Sequence, residues 1–459
     1  MSISEISPAP IDLTGDIPLS HTQSFLRLFD QGDDAGPFGP RYNLVVGWRI
    51  GGRIDVDVLR QALDDVAARH DVLRATIVRG DGPGHQHVAP PTPVRLVVRD
   101  LPPSEPGERD LLAEELLGEV EAGSYAVADL PHFSAVLGRF DDEDAVIALI
   151  AHHTASDGWS MHLLMRDVAA RYAVRSGHPD VALPEARPYA EYATRQQESA
   201  GDPATDAARR YWRDKLRGAR MLAIPTDHPR SAGLAKRNPV HRFTISAEVT
   251  SATTALAREM RCSPFMVLLA AYNVQLHRMT GATDLVVPTL ASGRNQPEFH
   301  ETVGPFFNFV PLRTDIDGCG TFREVVGRTR ATCLEAMTHD LPFAQVLAEA
   351  PELMAPMAED RLAACAFQVW QFPAVMERER VGDLEYTQVR KRVLSQEDGT
   401  DIPDGALITL DLDPSGEIFG NISHNTNLFA DASMLDMVAE YRRVLERAVA
   451  GPDLPLSEI

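Results

Sequence analysis

The sequence predicts a mixed α/β fold in two domains, and three observations support this. The chain has 459 residues, more than one hydrophobic core normally supports. Strand-like segments alternate with segments of helical periodicity in both halves. Between the halves, SGHPDVALPEARP (176–188) holds three prolines and little apolar periodicity, which is typical of a linker or crossover. We therefore expect one domain at 1–178 and a second at 179–459.

The first half alternates predicted strands and helices, separated by turn-forming segments. In chain order the segments are the strand RYNLVVGWRI (41–50), the helix DVDVLRQALDDVAARH (55–70), the strand VLRATIV, the turn GDGPG (80–84), the strand HQHV, the helix DLLAEELLGEVEAG, the hairpin HFSAVLGRF-DDED-AVIALIA and the helix WSMHLLMRDVAARYAV.

The second half repeats this alternation. Its clearest helix is SPFMVLLAAYNVQLHRMTG (263–281), with Ser263 placed to cap, Pro264 at the first helical position and Gly281 just past the end. The remaining predicted elements are the strands DLVVPTLASGR, FFNFVPLRTDI and CAFQVWQF, the hairpin ALITLDLDPSGEIFGNI and the closing helix ASMLDMVAEYRRVLERAVAG.

The charge balance argues against two classes of partner. Forty-four basic residues against sixty-six acidic ones give a formal net charge of -22, which repels nucleic-acid backbones and anionic membrane surfaces. We expect neither as a partner. An acidic protein partner would need a local basic patch such as RRYWRDKLRGAR (209–220), and this segment is read equally well as the solvated face of a helix.

The cysteines and the N-terminus predict a cytoplasmic protein. The four cysteines are widely spaced, without a C-x-x-C pair, and are expected to be reduced and structural; they are Cys262, Cys319, Cys333 and Cys365. The start MSISEISPAPIDLTGD has neither the basic nor the apolar region of a signal peptide. No apolar stretch approaches the ~18 residues that a membrane span needs.

The segment HHTASDG (152–158) follows the apolar run DAVIALI and carries the candidate chemistry. Consecutive strand residues point to opposite faces, so one of His152 and His153 should be functional and the other packed. Imidazole is the usual general base near neutral pH. Asp157 could orient a ring, neutralise an imidazolium or cap the helix that follows. Taken alone, these residues leave a purely structural role open.

Other chemistries find less support in the sequence. Adjacent histidines cannot readily form the i, i+4 pair of H-E-x-x-H, and GHQHV (84–88) supplies no third ligand nearby, so we expect no metal site there. The sequence contains no G-x-S-x-G, P-loop or G-x-G-x-x-G motif.

HHTASDG matches the H-H-x-x-x-D-G motif of nonribosomal peptide synthetase condensation domains, and other segments strengthen the resemblance. These are PLSHTQSFL (18–26), ARHDVLRATI (68–77), YAEYATRQQ (189–197), YWRDKLRGARMLAIPTDHPR (211–230), LHRMTGATDLVVPTLASGRNQPE, VGPFFNFVPLRT (303–314), HDLPFAQVL (339–347) and the C-terminal stretch from HNTNLF. The resemblance covers essentially the whole chain. AACAFQVWQF (363–372) departs from the family's Arg/Asn-Pro-Leu pattern, at the acceptor-side pocket.

The resemblance implies two chloramphenicol acetyltransferase-like lobes forming a V-shaped pseudo-dimer, with an active-site tunnel between them. An acyl or aminoacyl thioester would arrive on the phosphopantetheine arm of a carrier protein acting in trans. A small-molecule amine or alcohol acceptor would enter from the other face. The family implies no bound cofactor and no metal.

The resemblance also assigns roles to individual residues. His153 becomes the candidate general base or nucleophile-positioning group, and His152 its packed partner. Asp157 is part of the motif and is expected to form a structural salt bridge, for which Arg294 in ASGR is the candidate partner. Gly158 would leave clearance for the tunnel. Trp159 is expected to pack in the core.

Three alternatives accompany this reading. The chain could be a CoA-dependent acyltransferase or an epimerisation domain of the same superfamily, although VGPFFNFVPLR fits condensation members better. It could also be an inactive module that recruits carriers or tailoring enzymes, but such modules usually lose the second histidine or the glycine. The sequence contains no adenylation, carrier or thioesterase segment, so we expect a free-standing enzyme. Its length, that of one condensation unit, slightly favours the ester-forming type that acts on enediyne cores.

Overall fold

The computed structural model describes residues 15–80, 82–198, 202–371, 376–402 and 404–459. Most of the N-terminal segment, within the predicted first domain, and the last residue of AACAFQVWQF lie outside these ranges.

Strands and helices alternate along the described residues. The strands are β1 Ile17–Pro18, β2 Asn43–Gly51, β3 Ala75–Val78, β4 His85–Val88, β5 Arg95–Asp100, β6 Phe133–Arg139, β7 Asp144–His152, β8 Ala223–Pro225, β9 Val240–Ile245, β10 Asp284–Ala291, β11 Asn308–Asp315, β12 Leu362–Trp370, β13 Glu379–Val381, β14 Leu384–Gln388, β15 Ala406–Leu412 and β16 Ile418–His424. The helices are α1 His21–Arg27, α2 Val56–Arg69, α3 Arg109–Glu121, α4 Gly158–Arg175, α5 Tyr189–Glu198, α6 Pro203–Lys215, α7 Ala247–Glu259, α8 Pro264–Thr280, α9 Phe322–Thr338, α10 Phe343–Glu349 and α11 Asp431–Ala450.

The first large sheet has six strands in the order β13-β14-β2-β7-β6-β5. Strands β2, β7 and β6 pair antiparallel, and β5 runs parallel to β6. The hairpin of β13 and β14 comes from the second half of the sequence, yet β14 pairs with β2. The halves therefore share a sheet, and the boundary between 1–178 and 179–459 stays a prediction.

The second large sheet has five strands in the order β8-β12-β15-β16-β9, and β10 pairs with β11 in a separate antiparallel ribbon. Helix α8 packs between α7, α9 and α11. Its apolar stretch is buried without a break from Met266 to Leu276, because other helices cover it on several sides. The helix begins and ends at the predicted residues, but the Ser263 side chain forms no capping hydrogen bond, while Gly281 has a left-handed backbone at φ 73°.

Strand β7 is buried on both faces, which explains its continuous apolar sequence. Helix α3 contacts β7 and helix α4 contacts it as well. The strand ends at His152 and α4 begins at Gly158, so the histidine loop (residues 152–158) joins a buried strand to a buried helix. The mixed α/β fold class predicted from the sequence is confirmed by this architecture.

The basic segment 209–220 covers the end of α6 and the turn after it. Trp212 and Leu216 are buried, while Arg213 and Lys215 form ion pairs with acidic side chains of other helices. This is the arrangement of a helix packed on one face and ion-paired on the other. The described residues include no helix that combines the length and the hydropathy of a membrane span.

Candidate active site

The histidine loop borders a cavity of about 490 Å³ lined by residues of both halves of the chain. From the first half the lining includes Tyr42, His153, Gly158, Trp159 and His162, and from the second half Arg242, Phe307, Trp370, Arg390 and Arg392. A volume of this size is typical of small-molecule sites, which enclose most of their ligand.

His153 is half-buried at the wall of this cavity. Its Nδ1 lies 2.9 Å from the carbonyl oxygen of Ser156. A carbonyl can only accept, so Nδ1 carries the proton and Nε2 holds the lone pair. Tyr42 stacks on the ring at 4.8 Å between centroids, and Phe307 meets it edge-on at 4.7 Å. Tautomer and ring orientation are thus both fixed by neighbours.

The charge state of His153 also follows from its surroundings. Burial lowers the pKa of its imidazole, an effect that the Ser156 carbonyl and the Asp157 carboxylate only partly oppose. The ring is therefore neutral at neutral pH. Because Nε2 has no hydrogen-bond partner among the described residues, this neutral imidazole can accept a proton from a bound nucleophile.

His152 points away from the cavity and is 3% exposed. Its Nε2 donates to the Gly39 carbonyl at 3.2 Å, and its Nδ1 lies 2.7 Å from the Thr154 hydroxyl. Burial, with a further contribution from His132, lowers the pKa of His152 to about 3. The ring is neutral and both of its nitrogens are occupied by protein groups, as in a packed histidine.

Asp157 is the N-cap of α4 and is 5% exposed. Its Oδ1 accepts from the Ser160 backbone N–H at 2.7 Å, and its Oδ2 accepts from the Phe306 N–H at 3.1 Å. Arg294 Nη2 donates to Oδ1 at 3.0 Å and to Oδ2 at 3.3 Å. Both carboxylate oxygens are therefore engaged in holding the loop, the helix and the second half together.

Arg294 is 6% exposed and lies three residues beyond the end of β10. Its Nη1 donates to the carbonyls of Phe299 and Thr302, and the guanidinium lies 4.0 Å from the centre of the Phe306 ring. The preceding residue must be glycine, because a Cβ on Gly293 would lie 1.8 Å from the Phe306 carbonyl oxygen and its φ is 63°. The fold thus brings Asp157 of the first half of the chain into contact with Arg294 of the second half.

Gly158 and Trp159 both contribute to the cavity lining. The Trp159 indole N–H donates to the His300 carbonyl at 3.2 Å, and its ring is only partly buried. Trp159 is therefore not entirely a core residue as predicted. One part of its indole packs on the protein, and another part faces the cavity.

Sequence reasoning missed His162, which lies one helical turn after Gly158 and also lines the cavity. Its i, i+4 spacing from Gly158 on α4 was the available signal. It also missed a buried charge cluster on the cavity wall, formed by Glu121, Arg242 and Arg392. No local pattern connects these three residues, since they come from three distant segments.

The departing segment AACAFQVWQF forms most of β12. Ala364, Ala366, Gln368, Val369 and Trp370 line the cavity. The sequence difference noted above therefore changes the wall of the cavity itself. Among the described residues, the group with metal-ligand geometry is His241, His424 and Asp431, and none of them lines this cavity.

Comparison with known proteins identifies several relatives of the chain. The family model described as "Condensation domain" matches residues 14–459. The phosphinothricin tripeptide synthetase PhsC of Streptomyces viridochromogenes is 31% identical over 449 residues, which cover 96% of this chain and 40% of that protein. The dimodular nonribosomal peptide synthase of Bacillus subtilis is 31% identical over 450 residues, which cover 95% of this chain and 18% of that protein. The chain thus spans less than half the length of either relative.

Two solved structures resemble the fold over nearly its whole length. The SgcC5 protein of Streptomyces globisporus has a TM-score of 0.92 and 48% sequence identity, covering 95% of this chain and 100% of that one. The X-domain from teicoplanin biosynthesis has a TM-score of 0.78 and 24% identity, covering 98% and 99%. At that identity the second likeness bears on the fold alone.

Proposed function

The chain belongs to the condensation-domain family, and on that premise we propose that it transfers an acyl or aminoacyl group from a carrier-protein thioester to the hydroxyl of a small-molecule acceptor. The product is an ester, and an amine acceptor would give an amide by the same route. The donor arrives on the phosphopantetheine arm of the carrier. Asp157 and Arg294 act on this reaction only by holding the histidine loop.

The observation that carries the proposal is the fixed tautomer of His153 at the wall of the cavity. Its Nδ1 proton is committed to the Ser156 carbonyl at 2.9 Å, which leaves Nε2 as the acceptor. An alcohol needs such a base more than an amine does, because a neutral amine is already nucleophilic. The packed His152 cannot substitute, since both of its ring nitrogens have protein partners.

The proposed transfer passes through a tetrahedral intermediate. The acceptor hydroxyl oxygen attacks the thioester carbonyl carbon while His153 Nε2 takes the hydroxyl proton. The tetrahedral intermediate collapses, the carbon–sulfur bond breaks, and the phosphopantetheine sulfur leaves with the electron pair. The imidazolium then returns its proton to the thiolate, which regenerates the base. A cavity that holds both reactants in contact supplies the orientation that such a step requires.

An aromatic alcohol is the acceptor class that we favour. The SgcC5 crystal structure contains (R)-(-)-1-(2-naphthyl)-1,2-ethanediol, an aryl-substituted diol, together with sucrose. Here the cavity lining includes Phe25, Phe29, Phe307, Phe309 and Trp370, alongside charged groups. Aromatic walls suit a flat apolar body, and the charged groups suit its polar end.

The test is a transfer assay with an aminoacyl-loaded carrier protein, an aryl diol and the matching aryl amino alcohol, followed by mass spectrometry of product and carrier. We expect ester product with the wild type, and at least a hundredfold less with His153→Ala, because general base catalysis typically contributes ~10²–10⁴-fold. His85→Ala is the matched control, since His85 is a partly exposed histidine of β4 that does not line the cavity.

Each outcome decides between alternatives. Amide product without ester would assign the amine acceptor. If His153→Ala transferred the aminoacyl group from the carrier at the wild-type rate, the assignment of His153 as the general base would be wrong. Carrier binding without product from any acceptor would favour the inactive recruitment module. Activity with the same acyl group on CoA, and none with the carrier, would favour a CoA-dependent acyltransferase.

The pH profile gives a second readout of the same assignment. A general base must be unprotonated, so activity falls as pH drops through its pKa. Burial places the pKa of His153 below its ordinary value of 6.5. We therefore expect the acid limb of kcat/KM, which reports the free enzyme, to lie below about 6.5. A limb well above this value would contradict His153 as the base.

A further inference from the structure

Three side chains outside the cavity converge at one end of the second large sheet. His241 lies on β9 and His424 is the last residue of β16. In the antiparallel pairing, His241 faces Ile422. His424 follows Ile422 by two residues, so its side chain points to the same face of the sheet as that of His241.

The third side chain comes from α11, which begins at Asp431. Its Oδ1 lies 3.2 Å from His241 Nε2 and 3.1 Å from His424 Nε2. The three candidate ligand atoms all lie within 4.8 Å of one another. Two imidazoles and a carboxylate, from two neighbouring strands and a helix start, thus face a common point.

We propose that His241, His424 and Asp431 bind a divalent zinc ion, with solvent in the fourth position. Zinc takes imidazole nitrogens and carboxylate oxygens at about 2.0–2.2 Å in tetrahedral geometry. Two ligand atoms of such a tetrahedron lie about 3.3 Å apart. The nitrogen–oxygen separations of 3.1 and 3.2 Å are close to this value, and the 3.2 Å contact is a hydrogen bond that an ion would replace.

The state of His424 supports this assignment. The residue is 0% exposed, and among the described residues neither of its ring nitrogens has a well-aligned hydrogen bond. Its Nε2 lies 3.1 Å from Asp431 Oδ1 without forming a hydrogen bond. An ion bound to both atoms would give this nitrogen a partner. A buried polar ring without a partner is otherwise costly.

The groups around the site also favour a cation. Two carboxyl side chains, those of Asp431 and Asp227, lie near the His424 ring. Asp227 accepts from the Ala430 N–H at 2.8 Å and from the Ser433 hydroxyl at 2.9 Å, so it is held beside the start of α11.

The site would act as a structural tie rather than in the acyl transfer. Strand β9 is the edge of its sheet and pairs only with β16 among the large-sheet strands. A shared ion would fasten this edge to β16 and to the start of α11. An open fourth position filled by solvent is compatible with the exposure of Asp431, whose side chain is 60% exposed.

The experiment titrates Zn²⁺ into chelator-treated full-length protein against a chromophoric competitor. We expect one zinc per chain, with at least tenfold weaker binding for Asp431→Ala and for His241→Gln. Asp431 is exposed, so its variant tests the site without opening the core. The matched control is His178→Gln, which removes a histidine that contacts Asp383 at 3.0 Å but lies in no three-ligand group among the described residues.

Two further readouts keep the proposal separate from folding defects. Cobalt(II) bound to the wild type should show the intense visible absorption of tetrahedral coordination, and this absorption should be absent from Asp431→Ala. Zinc should raise the Tm of the wild type and of His178→Gln, but not of Asp431→Ala, because only a ligand that binds the folded state stabilises it. No stoichiometric zinc binding by the wild type, or binding unchanged in Asp431→Ala and His241→Gln, would overturn the proposal.

Discussion

Among the described residues, two of the buried ionic bridges that join the halves of the chain differ in what surrounds them. In the first, Asp157 pairs with Arg294 behind the histidine loop. In the second, Glu121 pairs with Arg242 and Arg392 at the cavity wall. Both are largely shielded, with side-chain exposures of 7% and 1% in the first bridge and of 13%, 8% and 12% in the second.

The two bridges differ in the groups that their side chains contact, and this indicates different roles. Asp157 and Arg294 also bind backbone groups of the α4 start and of the loop around Phe306, so their positions fix the main chain. The three members of the second bridge all line the cavity, and both arginines donate to the Glu121 carboxylate there, with Glu114 as a second, more distant carboxylate. Two bridges of similar burial therefore have different roles. The first positions the backbone, and the second places charged side chains on the cavity wall.

The largest effect is expected at the first bridge. Asp157→Asn leaves the buried Arg294 guanidinium without a counter-charge, and breaking such a pair costs about 3–5 kcal/mol. We expect a loss of this size in the free energy of unfolding, measured by denaturant titration, with transfer activity reduced in the fraction that remains folded.

Asp55→Asn is the control for this substitution. Asp55 is the N-cap of α2, as Asp157 is of α4, but it is exposed and forms no ion pair with an arginine of the described residues. Asparagine caps helices about as well as aspartate does, so the control should lose little stability. An Asp157→Asn protein as stable as Asp55→Asn and fully active would contradict a structural role for the ion pair.

A smaller effect is expected at the second bridge. Burial alone would raise the pKa of Glu121, but Arg392 and Arg242 outweigh it and hold this pKa below its ordinary value. Glu121→Gln should cost about 1–3 kcal/mol, the usual penalty for a lost buried partner. Glu114 lies 3.8 Å from Arg242 Nε and 3.5 Å from Arg392 Nε, so both arginines keep a nearby carboxylate.

The pH dependence of this effect has a definite sign. Because the folded-state pKa of Glu121 is depressed, its contribution is fully present above the unfolded value of about 4.3 and is lost as pH falls through the folded pKa. The stability difference between wild type and Glu121→Gln should therefore shrink below about pH 4. Glu119→Gln, on the exposed side of the same helix, is the control. A difference independent of pH would show that the carboxylate charge is not the cause.

The two bridges also show how much of the fold and the site could be predicted from the sequence. The apolar run of β7, the histidine pair and the start of α4 are local patterns, and the structure places these elements where the patterns indicate. The pairing of Asp157 with Arg294 came from a family resemblance, because 137 residues separate the two in sequence. The condensation-domain assignment itself is confirmed by the family match.

Other parts could not be predicted because they depend on tertiary packing. Strand β14 joins the first sheet by pairing with β2, and local periodicity carries no information about such distant partners. The bridge of Glu121 with Arg242 and Arg392 draws on α3, β9 and a later loop. In each segment the charged residue looks like an ordinary surface group. Only folding places these three side chains on one wall.

The smallest effect is expected at an ion pair with one exposed partner, which extends the comparison to a less buried bridge. Arg213 on α6 lies 2.6 Å from Glu349 on α10, and the arginine side chain is 56% exposed while the glutamate side chain is 17% exposed. Because water solvates the arginine in the folded state, Arg213→Ala should change the free energy of unfolding by less than about 1 kcal/mol. What difference remains should diminish at high salt, because salt screens exposed charges. Denaturant titrations at low and high salt would measure both quantities. A loss as large as that of Asp157→Asn would mean that burial is not what separates these bridges, and that the attachment of α6 depends on this pair.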